Sequence, residues 1–221
     1  MKMKTLIRKQ FLLLVMALSP IILCSGKDDK AKEILDKASV TFAQAGGIKA
    51  SFTFNIKDVK AKVTESFDGT IQMKGDRFCM DTPDYELWFN GKTQWIYMKG
   101  VDEVNISEPS KEELQMLNPS VLFNIYKNGF KYKYLSEKTD IKGKQVYEIE
   151  LTPLKKNDMV KMIIQIGKIS SLPHTITIVN KNNIDNIIHI NKYETGNSYA
   201  DSMFSFDKKK YPNVEIIDLR D

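Results

Sequence analysis

The feature that most constrains this chain is a change of period at Gly46-Gly47. Before it, Ala31, Ile34, Leu35, Ala38, Phe42 and Ala45 recur at steps of three and four, the stripe of one amphipathic helix of about 17 residues. Asp28 or Asp29 can cap its start, and the glycine pair supplies the left-handed stop that helix ends favour. After it, Phe52, Phe54 and Ile56 alternate with Ser51, Thr53 and Asn55, and Phe67, Gly69, Ile71 and Met73 continue at period two. A chain that spends one helix and then alternates must bury that helix against a sheet.

A hairpin reads across 85–97, and further runs of strand character lie at 145–152, 160–166, 175–179, 187–193 and 203–206. Asn90-Gly91 predicts a two-residue type I′ hairpin turn. The expectation is roughly ten antiparallel strands, bent strongly or rolled into a barrel. Between them, Ser110-Lys111-Glu112-Glu113 reads as a capping box and Asn118-Pro119 restarts a second short helix that ends at Gly129. Leu114, Leu117, Val121, Leu122, Ile125 and Tyr126 make this pair apolar, which suits a lid over the sheet.

The leader sets the compartment. Lys2, Lys4, Arg8 and Lys9 precede the apolar run Phe11–Leu23, which is shorter than the roughly 20 residues a membrane-crossing helix needs. Cleavage after Cys24-Ser25-Gly26 divides the chain into a signal peptide, residues 1–26, and one domain, residues 27–221, in the periplasm. The competing reading makes Cys24 a lipid-anchored N-terminus, although Leu23 stands where a small residue is expected. Without the leader's four basic residues, 29 Lys and Arg face 28 Asp and Glu, so the positive net charge belongs to the export signal and no nucleic-acid surface is expected. Lys208-Lys209-Lys210 reads as a solvated turn.

Chemistry is sparse. His174 and His189 belong to no metal-ligand spacing, Cys79 would be the lone cysteine of the exported protein, and there is no GxSxG, HExxH or glycine-rich phosphate loop. No catalytic residue, cofactor or metal is expected; acids such as Asp81, Asp84 and Glu86 lie close in sequence without forming a motif. A hydrolase acting on lipid esters is the outlying alternative. The chain is instead rich in soft apolar side chains, with 11 Phe, 9 Tyr and 10 Met. Methionine suits surfaces that accept varied apolar partners, though the same residues can fill an ordinary core.

Several stretches resemble the LolA family of outer membrane lipoprotein carriers. They are Lys49-Ala50-Ser51-Phe52-Thr53-Phe54, Asn90-Gly91-Lys92-Thr93-Gln94-Trp95-Ile96-Tyr97, Leu151-Thr152-Pro153, and Phe204-Ser205-Phe206 through Pro212-Asn213-Val214. The resemblance implies an unclosed antiparallel β-barrel with an N-terminal helix and a short helical lid, acting as a monomer. It implies a cargo of lipoprotein acyl chains, taken from an ATP-driven releasing complex of the inner membrane and passed to an outer-membrane acceptor. The cavity and lid would then be lined by Phe52, Phe54, Phe67, Ile71, Met73, Phe78, Met80, Leu87, Phe89, Trp95, Tyr97, Leu114, Leu117, Leu122 and Ile125. A basic lid latch would fall at Lys74 or Arg77, or be absent. A lipid- or glycolipid-binding sensor of the same shape is the alternative. Trp88 and Phe89 are adjacent and point opposite ways, so the face lining the cavity stays open.

Overall fold

The computed structural model describes residues 26–110, 126, 127 and 129–220. The leader and four predicted lid residues, Leu114, Leu117, Leu122 and Ile125, lie outside them.

Helix α1 spans Gly26–Gln44, with Asp28 and Asp29 in its first turn, where acids complement the helix dipole. Gly46 takes a φ of 68°, so the chain stops helically and reverses there. Twelve strands follow: β1 Gly47–Asp58, β2 Val63–Lys74, β3 Arg77–Asp81, β4 Tyr85–Phe89, β5 Gln94–Met98, β6 Glu103–Ser107, β7 Phe130–Thr139, β8 Gln145–Pro153, β9 Met159–Gly167, β10 Pro173–Asn180, β11 Ile184–Asn197 and β12 Glu215–Asp218. They form one sheet in the order β12-β6-β5-β4-β3-β2-β1-β11-β10-β9-β8-β7. All neighbours are antiparallel except β12 and β6. The two outermost strands, β12 and β7, do not pair with each other, so the barrel is unclosed as expected.

One continuous core explains the curvature. Ala31, Leu35 and Ala38 of α1 are fully buried and share a cluster with Phe78 and Leu87 on one side and Ile149, Ile164 and Ile176 on the other. Strands far apart in the sheet order can meet one helix only if the sheet curls around it. Each large aliphatic side chain buried in this way contributes about 1.5–3 kcal/mol of transfer free energy.

Three local expectations are corrected. The β4–β5 turn is not a two-residue I′ turn: strands stop at Phe89 and resume at Gln94. Asn90 instead closes a longer turn, its Oδ1 accepting the amides of Lys92 at 3.0 Å and Thr93 at 2.9 Å, while Gly91 alone there has positive φ. The run 203–206 is not a strand, because Asp201–Phe204 forms a 3-10 turn whose Phe204 is buried. Four strands, β3, β6, β7 and β12, exceed the runs read from the sequence.

Candidate functional site

Strand register decides which side chains share a face. Phe52 stands opposite Gly69 and Ile190, Ala50 opposite Ile71, and Phe54 opposite Phe67 and Ile188. Across the next strands Met73 meets Phe78, Ile71 meets Met80, Phe78 meets Phe89, and Met80 meets Leu87. Leu87 then meets Ile96 and Phe89 meets Gln94. Phe52, Phe54, Phe67, Ile71, Met73, Phe78, Met80, Leu87 and Phe89 therefore lie together on the face that holds α1, all within or against the one core cluster.

Burial along this face is uneven. Phe52, Ile71, Met73, Phe78, Leu87 and Phe89 are buried, whereas Phe54, Phe67, Met80, Tyr85, Ile96 and Ile188 are only half-buried. Phe54 and Phe67 stack with ring centroids 5.2 Å apart. The cause is a mismatch of size. Among the described residues one 19-residue helix packs on a face built from twelve strands, and its contacts with a strand are concentrated on β7 at the sheet's far edge. The half-buried band lies toward the other side. Gln94 sits beside it, 5 % exposed, with an Oε1 that has no hydrogen-bond donor among the described residues.

Trp95 and Tyr97 belong elsewhere. Trp95 pairs with Trp88, and Tyr97 with Glu86, so both stand on the opposite face of the sheet. Period two leaves no choice: once Leu87 and Phe89 face the helix, Trp88, Trp95 and Tyr97 face away. There a second, smaller apolar layer forms under the C-terminal segment. Phe206 and Tyr211 pack edgewise on Trp88, and Tyr211 packs on Tyr97 at 4.7 Å. Cys79, Val104, Ile106 and Phe204 are buried outside the main cluster. A half-open groove of about 770 Å³ runs beside this layer, lined in part by Cys79, Glu86, Trp88, Phe206, Lys210 and Tyr211. The Tyr211 hydroxyl donates to Glu86 at 2.9 Å; burial, then the carboxylate, raise its pKa.

Lys74 and Arg77, the two candidates for a latch, both engage this C-terminal segment. Lys74 Nζ lies 2.9 Å from Asp201 Oδ1 and donates to the Tyr199 carbonyl at 2.8 Å. Arg77 reaches the same carboxylate oxygen at 2.6 Å. That carboxyl is consequently held below its usual range, first by Arg77 and then by Lys74. The two cations fasten the 3-10 turn to the end of the β2–β3 hairpin.

Nucleophilic chemistry is poorly served. Burial pushes the Cys79 thiol up to about 11, and the thiol donates to Gln72 Oε1 at 3.1 Å, so little thiolate exists at neutral pH. His189 shares a 3.2 Å contact with Thr175 Oγ1, and burial lowers its pKa. His174 Nδ1 is 2.7 Å from Asp140 Oδ2 and its Nε2 is 3.3 Å from Ser170 Oγ. This follows the order of a hydrolytic relay, but Ser170 Oγ also accepts the Leu172 amide at 3.3 Å and closes a turn. Among the described residues no group of His, Cys, Asp and Glu could hold a metal, and no helix is long and apolar enough to cross a membrane. Lys208–Lys210 forms an exposed 3-10 turn, the solvated role expected of it.

The model of the outer membrane lipoprotein carrier protein LolA family matches residues 23–182. No curated protein matches the chain. Among solved structures, an uncharacterized conserved protein from Thermus thermophilus superposes with a TM-score of 0.59 at 10% identity, over 86% of this chain and 99% of that one. The MucA/MucB complex of Pseudomonas aeruginosa gives 0.50 at 13% identity, over 81% of this chain and 62% of that one. A LolA superfamily protein from Nitrosomonas europaea gives 0.44 at 11%, over 80% and 97%. At such identities the likeness is one of fold.

Proposed function

This chain belongs to the family of outer membrane lipoprotein carrier proteins, and on that premise we propose that it is a periplasmic chaperone that carries the acyl chains of lipoproteins. Its cargo would come from the ATP-driven releasing complex of the inner membrane and go to an acceptor at the outer membrane. Cavity residues would be Phe52, Phe54, Phe67, Ile71, Met73, Phe78, Met80, Leu87 and Phe89, with Leu114, Leu117, Leu122 and Ile125 as the lid. No covalent step is required of it.

The observation that carries the reading is the half-buried apolar band of Phe54, Phe67, Met80, Ile96 and Ile188 beside a fully buried core. Apolar surface left partly in water is worth about 25 cal/mol per Å² to any ligand that covers it. An acyl chain is long, narrow and undemanding of shape, and the band spans six strands. Methionines at 73, 80 and 162 let the wall adapt to it.

Two measurements test this. Purified protein mixed with detergent-released lipoproteins, then extracted and analysed by mass spectrometry, should yield a triacylated peptide. Free lipids or glycolipids without any acylated peptide would replace the carrier with a lipid-binding module of the same shape. Separately, Phe67→Asp should weaken binding of an apolar fluorescent dye by about tenfold or more, while Trp95→Phe on the far face leaves it unchanged. Unaltered dye binding in a folded Phe67→Asp variant would remove the helix face from consideration.

A further inference from the structure

Two isoleucines stand in water at the tips of neighbouring turns. Ile169, between β9 and β10, is 100% exposed, and Ile141, between β7 and β8, is 75% exposed. Exposure of this kind is often a sign of a loose loop, but these turns are tied. Asp140 Oδ1 accepts the amides of Lys142 at 2.9 Å and Lys144 at 2.8 Å, and its carbonyl accepts Gly143 at 3.1 Å. The other turn is closed by Ser171 N to Gly167 O and Gly167 N to Leu172 O, both 2.9 Å. The His174–Asp140 pair then joins the two turns at 2.7 Å. A Cβ at Gly167 would fall 2.3 Å from Ser170 Oγ and 2.5 Å from His174 Nε2, so the junction needs a glycine beneath it.

Charge around the tips is unbalanced. The acids of these strands and turns are taken: Glu137 by Lys168 at 2.7 Å and Lys30 at 3.1 Å, Glu148 by Lys138, Asp140 by His174. Among the described residues Lys142 bonds only neutral oxygens, Ile190 O at 2.9 Å and Asn191 Oδ1 at 2.8 Å. Lys144 forms no ion pair with any described residue. Two ammonium groups are thus in excess beside two exposed apolar side chains.

The chain's entry point is also here. Helix α1 begins at Gly26, and Lys30, one turn on, reaches Glu137 three residues from the β7–β8 tip.

We propose that the β7–β8 and β9–β10 turns form a docking point for an anionic phospholipid bilayer, with Ile141 and Ile169 entering the interface and Lys142 and Lys144 meeting the headgroups. Apolar side chains flanked by lysines are the usual composition of an interfacial contact, and both partners act within a few ångströms of the surface. The site lies outside the proposed cavity, so it concerns where the protein alights and not what it carries.

The test is flotation of the purified protein with vesicles of phosphatidylethanolamine and phosphatidylglycerol at low salt. The wild type should float, and an Ile141→Asp/Ile169→Asp variant should float about tenfold less. Lys144→Glu should reduce flotation severalfold. Circular dichroism and apolar-dye binding of both variants should match the wild type, which keeps a failure here separate from a failure of the carrier reading. Absence of wild-type flotation, equal flotation of the double variant, or equal binding to pure phosphatidylcholine vesicles would overturn the proposal. So would a protein partner that is lost with the double variant while vesicle binding is absent.

Discussion

Gly69 faces Phe52 across the β1–β2 ladder, and its hydrogen is the only substituent the site admits. A Cβ there would sit 2.4 Å from Phe52 Cζ and 3.0 Å from the Asp81 carbonyl. Phe52 is 6 % exposed and ringed by core, so it has little room to retreat. Gly69→Ala should therefore cost about 1–3 kcal/mol, the usual range for one methyl too many in a packed interior. Urea unfolding would read it as a lower midpoint with an unchanged slope. The sequence shows Gly69 as a member of an alternating run, yet not why it is glycine, because the crowding partner arrives from another strand. The same holds for Trp95 and Tyr97. Their aromatic alternation is plain to read, but the face they occupy depends on pairing with β4, which no single strand encodes.

At the scale of elements, α1 is fastened to the sheet edge by charge as well as by packing. Glu137 of β7 lies between Lys168 and Lys30, which together hold its carboxyl down to about 2. A folded pKa below the ordinary 4.5 means that the contribution is present above that value and is lost as pH falls toward 2. Glu137→Gln should lower Tm modestly at pH 7, with the gap to wild type closing between about pH 4.5 and 2 and shrinking in high salt. A gap that persists at pH 2 would assign the loss to packing instead. On the helix's other flank, Tyr126 donates to Asp36 at 2.5 Å and is itself buried, which ties α1 to a residue of the predicted lid. Helix α1 is legible because its stripe of six apolar residues has a clean period and glycine marks its end. Strand β7 is not, although Phe130, Tyr132 and Tyr134 alternate with lysines, since it follows directly on apolar helical text. Strands β6 and β12, five and four residues long, lack an adjoining Asn-Gly pair such as Asn90-Gly91, which marks the equally short β4 and β5.

For the molecule as a whole, an unclosed sheet predicts a gradient of protection. Strands β1, β2 and β11 are long and flanked on both sides, whereas β7 and β12 each have one free edge. Hydrogen exchange should be slowest in β1, β2 and β11 and fastest in β12, which is exposed along most of its length. Uniform exchange across the sheet would mean that opening is global. The β1–β11 ladder has a further consequence for biogenesis. It joins Gly47 to Asn197, 150 residues apart. Under the proposed export, a chain threaded through a secretion channel from its N-terminus would emerge with the β1–β2 hairpin long before β11 appears. During that interval one side of β1 is an open template, ready to recruit any extended segment from a neighbouring copy. On that proposal delivery would be the protein's most exposed moment, and its yield should depend on how quickly the last fifth of the chain follows the first.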